Sequence, residues 1–175
     1  MTITIEPIQS GHSAHIQEVV SDPEMAKTSD IPYPLAQGGA SAWIERMKAL
    51  MDQEKALTFA ILADDRAVGA CQLGNLDRNG SKSGELGFFV GKSFWGRGYA
   101  TDGSRLLLKH AFCELGLVCV RAACLPWNGA AVRVLRKLGF ERTHEGPPPQ
   151  GSKFPESERF QFWILSREAW ESTLK

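Results

Sequence analysis

The sequence predicts an α/β domain: a mixed, mostly antiparallel sheet of about six or seven strands with helices on both faces. Three observations predict it. Short strand-like runs separated by turn signals crowd the middle of the chain. Two amphipathic stretches, Tyr99–Leu115 and Asn128–Leu138, then alternate with strand-like runs. The 175 residues amount to a single domain's worth of chain, with no repeat, low-complexity tract or linker dividing it.

The elements follow in order. Thr2–Ile8 alternates Ile3 and Ile5 with polar neighbours around Pro7, which predicts a short strand. Ser10 or Ser13 caps a helix running to about Val20. Ser21–Gly39 is rich in proline and glycine, and no regular structure is expected there. A second helix spans about Ala40–Lys55, with Trp43, Met47 and Leu50 at helical spacing. Leu57–Ala63 and Ala67–Leu73 form a hairpin through Ala63-Asp64-Asp65-Arg66, and a second turn, Asp77–Gly80, leads to a strand at Gly84–Val90. The helix Tyr99–Leu115 carries Leu107, Leu108, Ala111, Phe112 and Leu115 on one face and Arg105 and Lys109 on the other. Leu117–Cys124 reads as a buried strand. Asn128–Leu138 carries an apolar stripe of Ala131, Val134, Leu135 and Leu138, and Gly139 ends it. Strands near Phe140–Glu145 and Arg159–Leu165 close the chain around the loop Gly146–Ser157.

Composition excludes several function classes. Hydrophobic residues at 43% and charged residues at 23% sit near the globular average, which excludes disorder and fibrous repeats. Twenty basic residues balance twenty acidic ones, which excludes a general nucleic-acid binder. The longest apolar run, Leu115–Val120, is far too short for a bilayer, and the amino terminus lacks a secretory pattern. A soluble, cytoplasmic protein is expected, without membrane or nucleic-acid partners. Cys71, Cys113, Cys119 and Cys124 form no C-x-x-C pair and have no zinc spacing with the four histidines. Free thiols and no metal are expected.

Chemistry concentrates in Gly84–Gly103. A strand ends at Val90, a turn containing Gly91, Gly96 and Gly98 follows, and a helix opens at Tyr99. Unpaired amides at such a turn suit a phosphate or pyrophosphate. The amides outweigh the helix dipole, since each hydrogen bond to a charged oxygen contributes about 1.5–3 kcal/mol and the dipole about 0.3–1 kcal/mol. The other reading gives the glycines only the tight turn to serve. Neither G-x-x-x-x-G-K-S/T nor G-x-G-x-x-G occurs, which argues against nucleoside-triphosphate and dinucleotide sites.

The segment WGRGYA (Trp95–Ala100) resembles the Q/R-x-x-G-x-G/A motif of the GCN5-related N-acetyltransferases, the GNAT superfamily. The strand ending Phe88-Phe89-Val90 and the later N-x-x-A…LRKLGF (Asn128 to Phe140) are similar to that family in order and spacing. ELGFFV…WGRGYATD, with Pro32-Tyr33-Pro34 upstream, looks most like its RimJ/RimL ribosomal-protein branch. The resemblance implies acetyl-CoA as cosubstrate. It implies its pyrophosphate on the amides of Gly96, Arg97, Gly98, Tyr99, Ala100 and Thr101, and its pantetheine arm along Phe88, Phe89 and Val90. Asn128 matches a cofactor-contacting position. Arg133 either reaches a cofactor phosphate or is an exposed helix arginine. Trp95 replaces the usual glutamine or arginine, Ala131 a common serine, and Leu135 a tyrosine proposed elsewhere as general acid.

The implied reaction is acetyl transfer to a primary amine, a protein N-terminal α-amine or a small molecule, in a ternary complex. At pH 7, deprotonating an α-amine costs about 1.4 kcal/mol and a lysine about 4.6 kcal/mol. Glu85 is the candidate general base, with a strand-edge salt bridge as its other reading; histone-type relatives place the base one residue earlier, here Gly84. A one-residue shift reverses the face of a strand. Amides of Phe88 or Phe89 are candidate oxyanion donors. Tyr33 either walls the acceptor or packs its loop. A CoA-binding regulatory module without chemistry is the alternative, consistent with Ala131 and Leu135.

Overall fold

The computed structural model describes residues 2–175; Met1, the first residue of the predicted single domain, lies outside them. Seven strands are formed: β1 (Ile3–Pro7), β2 (Leu57–Ala63), β3 (Arg66–Asp77), β4 (Ser83–Val90), β5 (Cys119–Cys124), β6 (Glu141–Gly146) and β7 (Phe160–Ser166). Six α-helices accompany them: α1 (Ser13–Val20), α2 (Pro23–Thr28), α3 (Gly39–Asp52), α4 (Tyr99–Cys113), α5 (Gly129–Lys137) and α6 (Arg167–Ser172). The sheet runs β1-β2-β3-β4-β5-β7-β6 and is antiparallel everywhere except between β4 and β5. No helix among the described residues is long and apolar enough to cross a membrane.

Two helices depart from the expectations. Ser21–Gly39 contains α2, because Asp22 caps it by accepting from the Glu24 amide at 2.9 Å and Pro23 occupies its first position, where proline is favoured. Met25 then anchors the short helix in the interior. The sequence reading left residues after Leu165 without structure, but α6 forms there. Ser166 caps it, Trp170 is buried against Phe112, and Arg167 donates to the carbonyls of Leu117 and Phe112.

The sheet divides two apolar clusters. Leu86, Val90 and the partly buried Phe88 face the α4 side with Leu107, Leu108, Ala131, Leu135 and Trp163. Phe89 faces the other side, edge-on to Trp43 of α3, beside Ile16, Val19 and Ile44. Alternation along β4 therefore puts Glu85, Gly87 and Phe89 on the α1–α3 face.

Tight backbone approach fixes β4 on β3. A Cβ at Gly69, which pairs with Val90, would stand 2.1 Å from the Phe89 carbonyl oxygen. Gly103 likewise lets α4 lie close on β2, since a Cβ there would meet the Ile61 side chain at 2.7 Å. The β2–β3 turn places Asp64 and Asp65 at φ +47° and +65°, as a two-residue hairpin turn of mirror-image type requires.

Asp77 closes the β3–β4 hairpin. Its carboxylate accepts from the amides of Gly80 and Ser81 at 2.7 Å, and these amides together with the Ser81 hydroxyl hold its pKa down at about 2. Its folded value lies below the unfolded one of about 3.9, so its stabilisation is full above pH 4 and is lost as the pH falls through about 2. Asp77→Ala is expected to be less stable than the parent at pH 7 in urea titrations, with the difference roughly halved by about pH 3. A constant difference would assign the loss to packing. Gly69→Ala is expected to cost roughly 1–3 kcal/mol by the same measurement, as overpacking against backbone does; parental stability would mean that β4 yields freely.

Candidate active site

β4 stays paired with β3 as far as Val90, and β5 stays paired with β7 as far as Cys124. Between them the parallel ladder has only three rungs, Ser83↔Cys119, Gly84↔Val120 and Glu85↔Arg121. Beyond Glu85 the two strands separate. The backbone of Leu86–Val90 on that side therefore faces a gap instead of a partner strand. Because β4 and β5 are parallel, their carboxyl ends lie together, and α4 and α5 both begin at the mouth of the gap.

The turn into α4 is built by two left-handed glycines, Gly96 at φ +76° and Gly98 at φ +85°. Gly98 is the N-cap residue and makes no side-chain cap, so the first amides of α4 have no partner from that source. Space around Gly98 is open, with a Cβ meeting only Asp102 Oδ2 at 3.8 Å. Tyr99 and Thr101, at the start of α4, are buried. Gly96, Arg97 and Gly98 are exposed. Arg97 in the turn and Arg133 on α5 form no ion pair among the described residues, and the Arg97 guanidinium lies over the Phe94 ring at 6.0 Å.

Trp95 acts as a latch that sequence reading did not foresee. Its indole N–H donates to the Val90 carbonyl at 2.6 Å, fastening the turn to the end of β4. Of the backbone expected to meet a pantetheine arm, the Val90 carbonyl is thus already engaged. Asn128 caps α5, its Oδ1 accepting from the Ala131 amide at 3.2 Å, while its Nδ2 makes no hydrogen bond among the described residues. Trp127 beside it is 58% exposed.

Glu85 stands on the last paired rung, exposed on the α1–α3 face. Its neighbour Arg121 donates to Ser83 at 3.5 Å, and Glu85 forms no ion pair among the described residues. The single partner of the carboxylate among the described residues is Asn75, whose Nδ2 donates to Oε2 at 3.0 Å. Gly84 points the other way, where a Cβ would meet Leu76 and Leu73. A carboxylate one residue earlier would be buried in the core.

Tyr33 is 56% exposed. The segments around it are fastened together: Lys153 donates from Nζ to the carbonyls of Ala26 and Ile31, and Asp30 accepts from Ser152 Oγ and the Lys153 amide. Partial burial pushes the Lys153 ammonium below its ordinary pKa, against the pull of Asp30.

The four cysteines are free, and burial pushes the Cys71 thiol up to about 12. No three His, Cys, Asp or Glu side chains among the described residues could hold a metal ion. His12 is committed to structure, accepting from the Gln9 amide and meeting Glu6 at 2.6 Å. Surface depressions at Ile3, Asp102, Arg105 and Leu106, and at Glu54, Arg78, Asn79 and Leu115, are bordered by ion-paired side chains.

The gap, the glycine turn and the two helix starts fit an extended cosubstrate ending in phosphates. Comparison with known proteins agrees. A model of the acetyltransferase (GNAT) domain matches residues 2–141. Over 150 residues the chain is 25% identical to an uncharacterized N-acetyltransferase p20 of Bacillus licheniformis, covering 85% of this chain and 84% of that protein. The fold matches that of RimL, a ribosomal α-N-protein acetyltransferase solved with coenzyme A, at TM-score 0.85 and 16% identity over 97% of this chain and 96% of the other. It matches a Vibrio cholerae spermidine N-acetyltransferase solved with CoA and spermine at 0.80 and 14%, over 97% and 98%. These two likenesses are of fold. Matched over most of its length by the family's own domain model, the chain belongs to the acetyltransferase (GNAT) family, acyltransferases that use acetyl-CoA.

Proposed function

We propose that the protein transfers an acetyl group from acetyl-CoA to a primary amine by direct attack in a ternary complex. The observation that carries this reading is the unpaired edge of β4, with an exposed carboxylate at its root and two helix amino termini at its mouth. The amides of Gly96–Thr101 hold the pyrophosphate, with Arg97 and Arg133 adding charge. The free edge of β4 at Phe88 and Phe89 and the Asn128 amide hold the pantetheine arm. Acetyl-CoA supplies an acetyl thioester, whose carbonyl carbon takes the amine lone pair and whose sulfur leaves.

Glu85 accepts the proton that the amine loses, directly or through one water. Within hydrogen-bond reach, such a base contributes typically 10²–10⁴-fold. Phe88 or Phe89 donates its amide to the oxygen that gains charge. The departing thiolate takes its proton from water or from another group, since Ala131 has no hydroxyl and Leu135 is packed in the core. An α-amine acceptor demands less of such a base than a lysine does, given the difference of about 3.2 kcal/mol in deprotonation cost at pH 7. Tyr33, exposed between α2 and α3, is available to orient the acceptor. The relatives of like fold include acetyltransferases named for a protein α-amine and for spermidine, both amine acceptors.

The test is thiol release from acetyl-CoA with an alanine-initiated peptide, spermidine and free amino acids, followed by mass spectrometry of the products. Sustained release with an acetylated amine is expected. Tight acetyl-CoA binding without release for any of them would favour the regulatory module. Gly98→Val is expected to raise the calorimetric dissociation constant for acetyl-CoA at least ~10-fold, about 1.4 kcal/mol, in a variant shown to be folded. Unchanged affinity would remove the turn from the binding site. Glu85→Gln is expected to lower kcat by about 10²-fold or more with acetyl-CoA affinity intact. Turnover within threefold of the parent between pH 6 and 9 would leave Glu85 a structural carboxylate.

A further inference from the structure

The hairpin that carries Glu85 contains one irregularity. The β3–β4 register shifts between Gly74 and Asp77, and Asn75 within that bulge adopts φ +45°. Non-glycine residues rarely enter the left-handed region, and asparagine does so most readily. On its far side the bulge is anchored by Leu76, whose amide donates to the Lys55 carbonyl at 2.9 Å and whose side chain packs on the core. Asn75 is thereby turned out onto the face that carries Glu85.

Bulges next to active sites commonly re-aim a side chain, and this one aims an amide. Asn75 Nδ2 donates to Glu85 Oε2 at 3.0 Å. No other hydrogen bond or ion pair reaches that carboxylate among the described residues, because Arg121 leans to Ser83. The space beside it is open, since a Cβ at Gly74, directly across from Glu85, would meet nothing within 4 Å. An exposed glutamate held by nothing samples several rotamers. One fixed oxygen leaves Oε1 directed and uncommitted.

We infer that Asn75 is a positioning residue: its side-chain amide fixes one oxygen of Glu85 so that the other is presented to the incoming amine. This rests on the reading of Glu85 as the proton acceptor. Asn75 touches neither the amine nor the thioester, and acts only through the carboxylate.

The experiment is a double-mutant cycle in the full chain, using the acceptor of the panel above that gives the highest kcat/KM. Asn75→Gly keeps the left-handed backbone without strain and removes the amide. It is expected to lower kcat at least tenfold, with the acetyl-CoA dissociation constant within twofold and the thermal midpoint retained. Asn75→Asp also tolerates the backbone, replaces the donor by a second acceptor, and is expected to lose as much or more. In the Glu85→Gln background, Asn75→Gly is expected to change kcat less than twofold, since the two residues act as one unit. Parental kcat in Asn75→Gly or Asn75→Asp, or the same fold-loss in both backgrounds, would overturn the inference while leaving Glu85 as base. Parental kcat in Glu85→Gln would overturn both.

Discussion

Everything at the candidate site depends on one geometric fact: the parallel ladder between β4 and β5 stops after three rungs. Each strand is bound more extensively to its antiparallel neighbour on the outside. Strand twist accumulates on both sides of the junction. Three rungs at one end are too few to hold the carboxyl ends together, so the sheet opens as a wedge. The opening leaves backbone donors and acceptors on β4 without partners, in a place where a folded protein ordinarily leaves few. An extended ligand with amide groups satisfies such an edge as another strand would.

The wedge is useful only if its walls are rigid. β4 is locked onto β3 by the absence of a side chain at Gly69, and α4 is drawn onto β2 by the absence of one at Gly103. Trp95 supplies the remaining fastening, from the turn back to the last carbonyl of β4. Leu135 of α5 is buried in the core cluster on the α4 side. The same packing that stabilises the domain therefore sets where the amides of the turn point. On the opposite face, few groups are so constrained. Glu85, Asn75 and Tyr33 are exposed, and the irregular segments around Tyr33 are held together by Lys153 and Asp30.

This contrast explains the uneven legibility of the sequence. The glycine turn, the strand before it and the two amphipathic helices were readable because local rules govern them: glycine for positive φ, and a period of 3.6 for a buried stripe. The hairpin turn at Asp64-Asp65 and the terminator Gly139 were readable for the same reason. α2 was hidden behind prolines, although Asp22-Pro23-Glu24 carries a helix-start signal that outranks them. Trp95 read as a departure from a motif, and nothing in the local sequence says that an indole will reach back five residues to a carbonyl.

By itself the sequence determined the class of fold, the order of elements and the position of the phosphate-type turn, because each rests on neighbours within a few residues. Which face Glu85 occupies was decided by tertiary structure alone. The hydrophobic pattern of β4 is apolar on both sides from Leu86 onward, so alternation could not assign the faces until Phe89 met Trp43 and Leu86 met α4. The partner of Glu85 was likewise out of reach of sequence. Asn75 is ten residues away along the chain and arrives only through a hairpin register shifted by a bulge. Register is a property of two strands together, and neither strand encodes it alone.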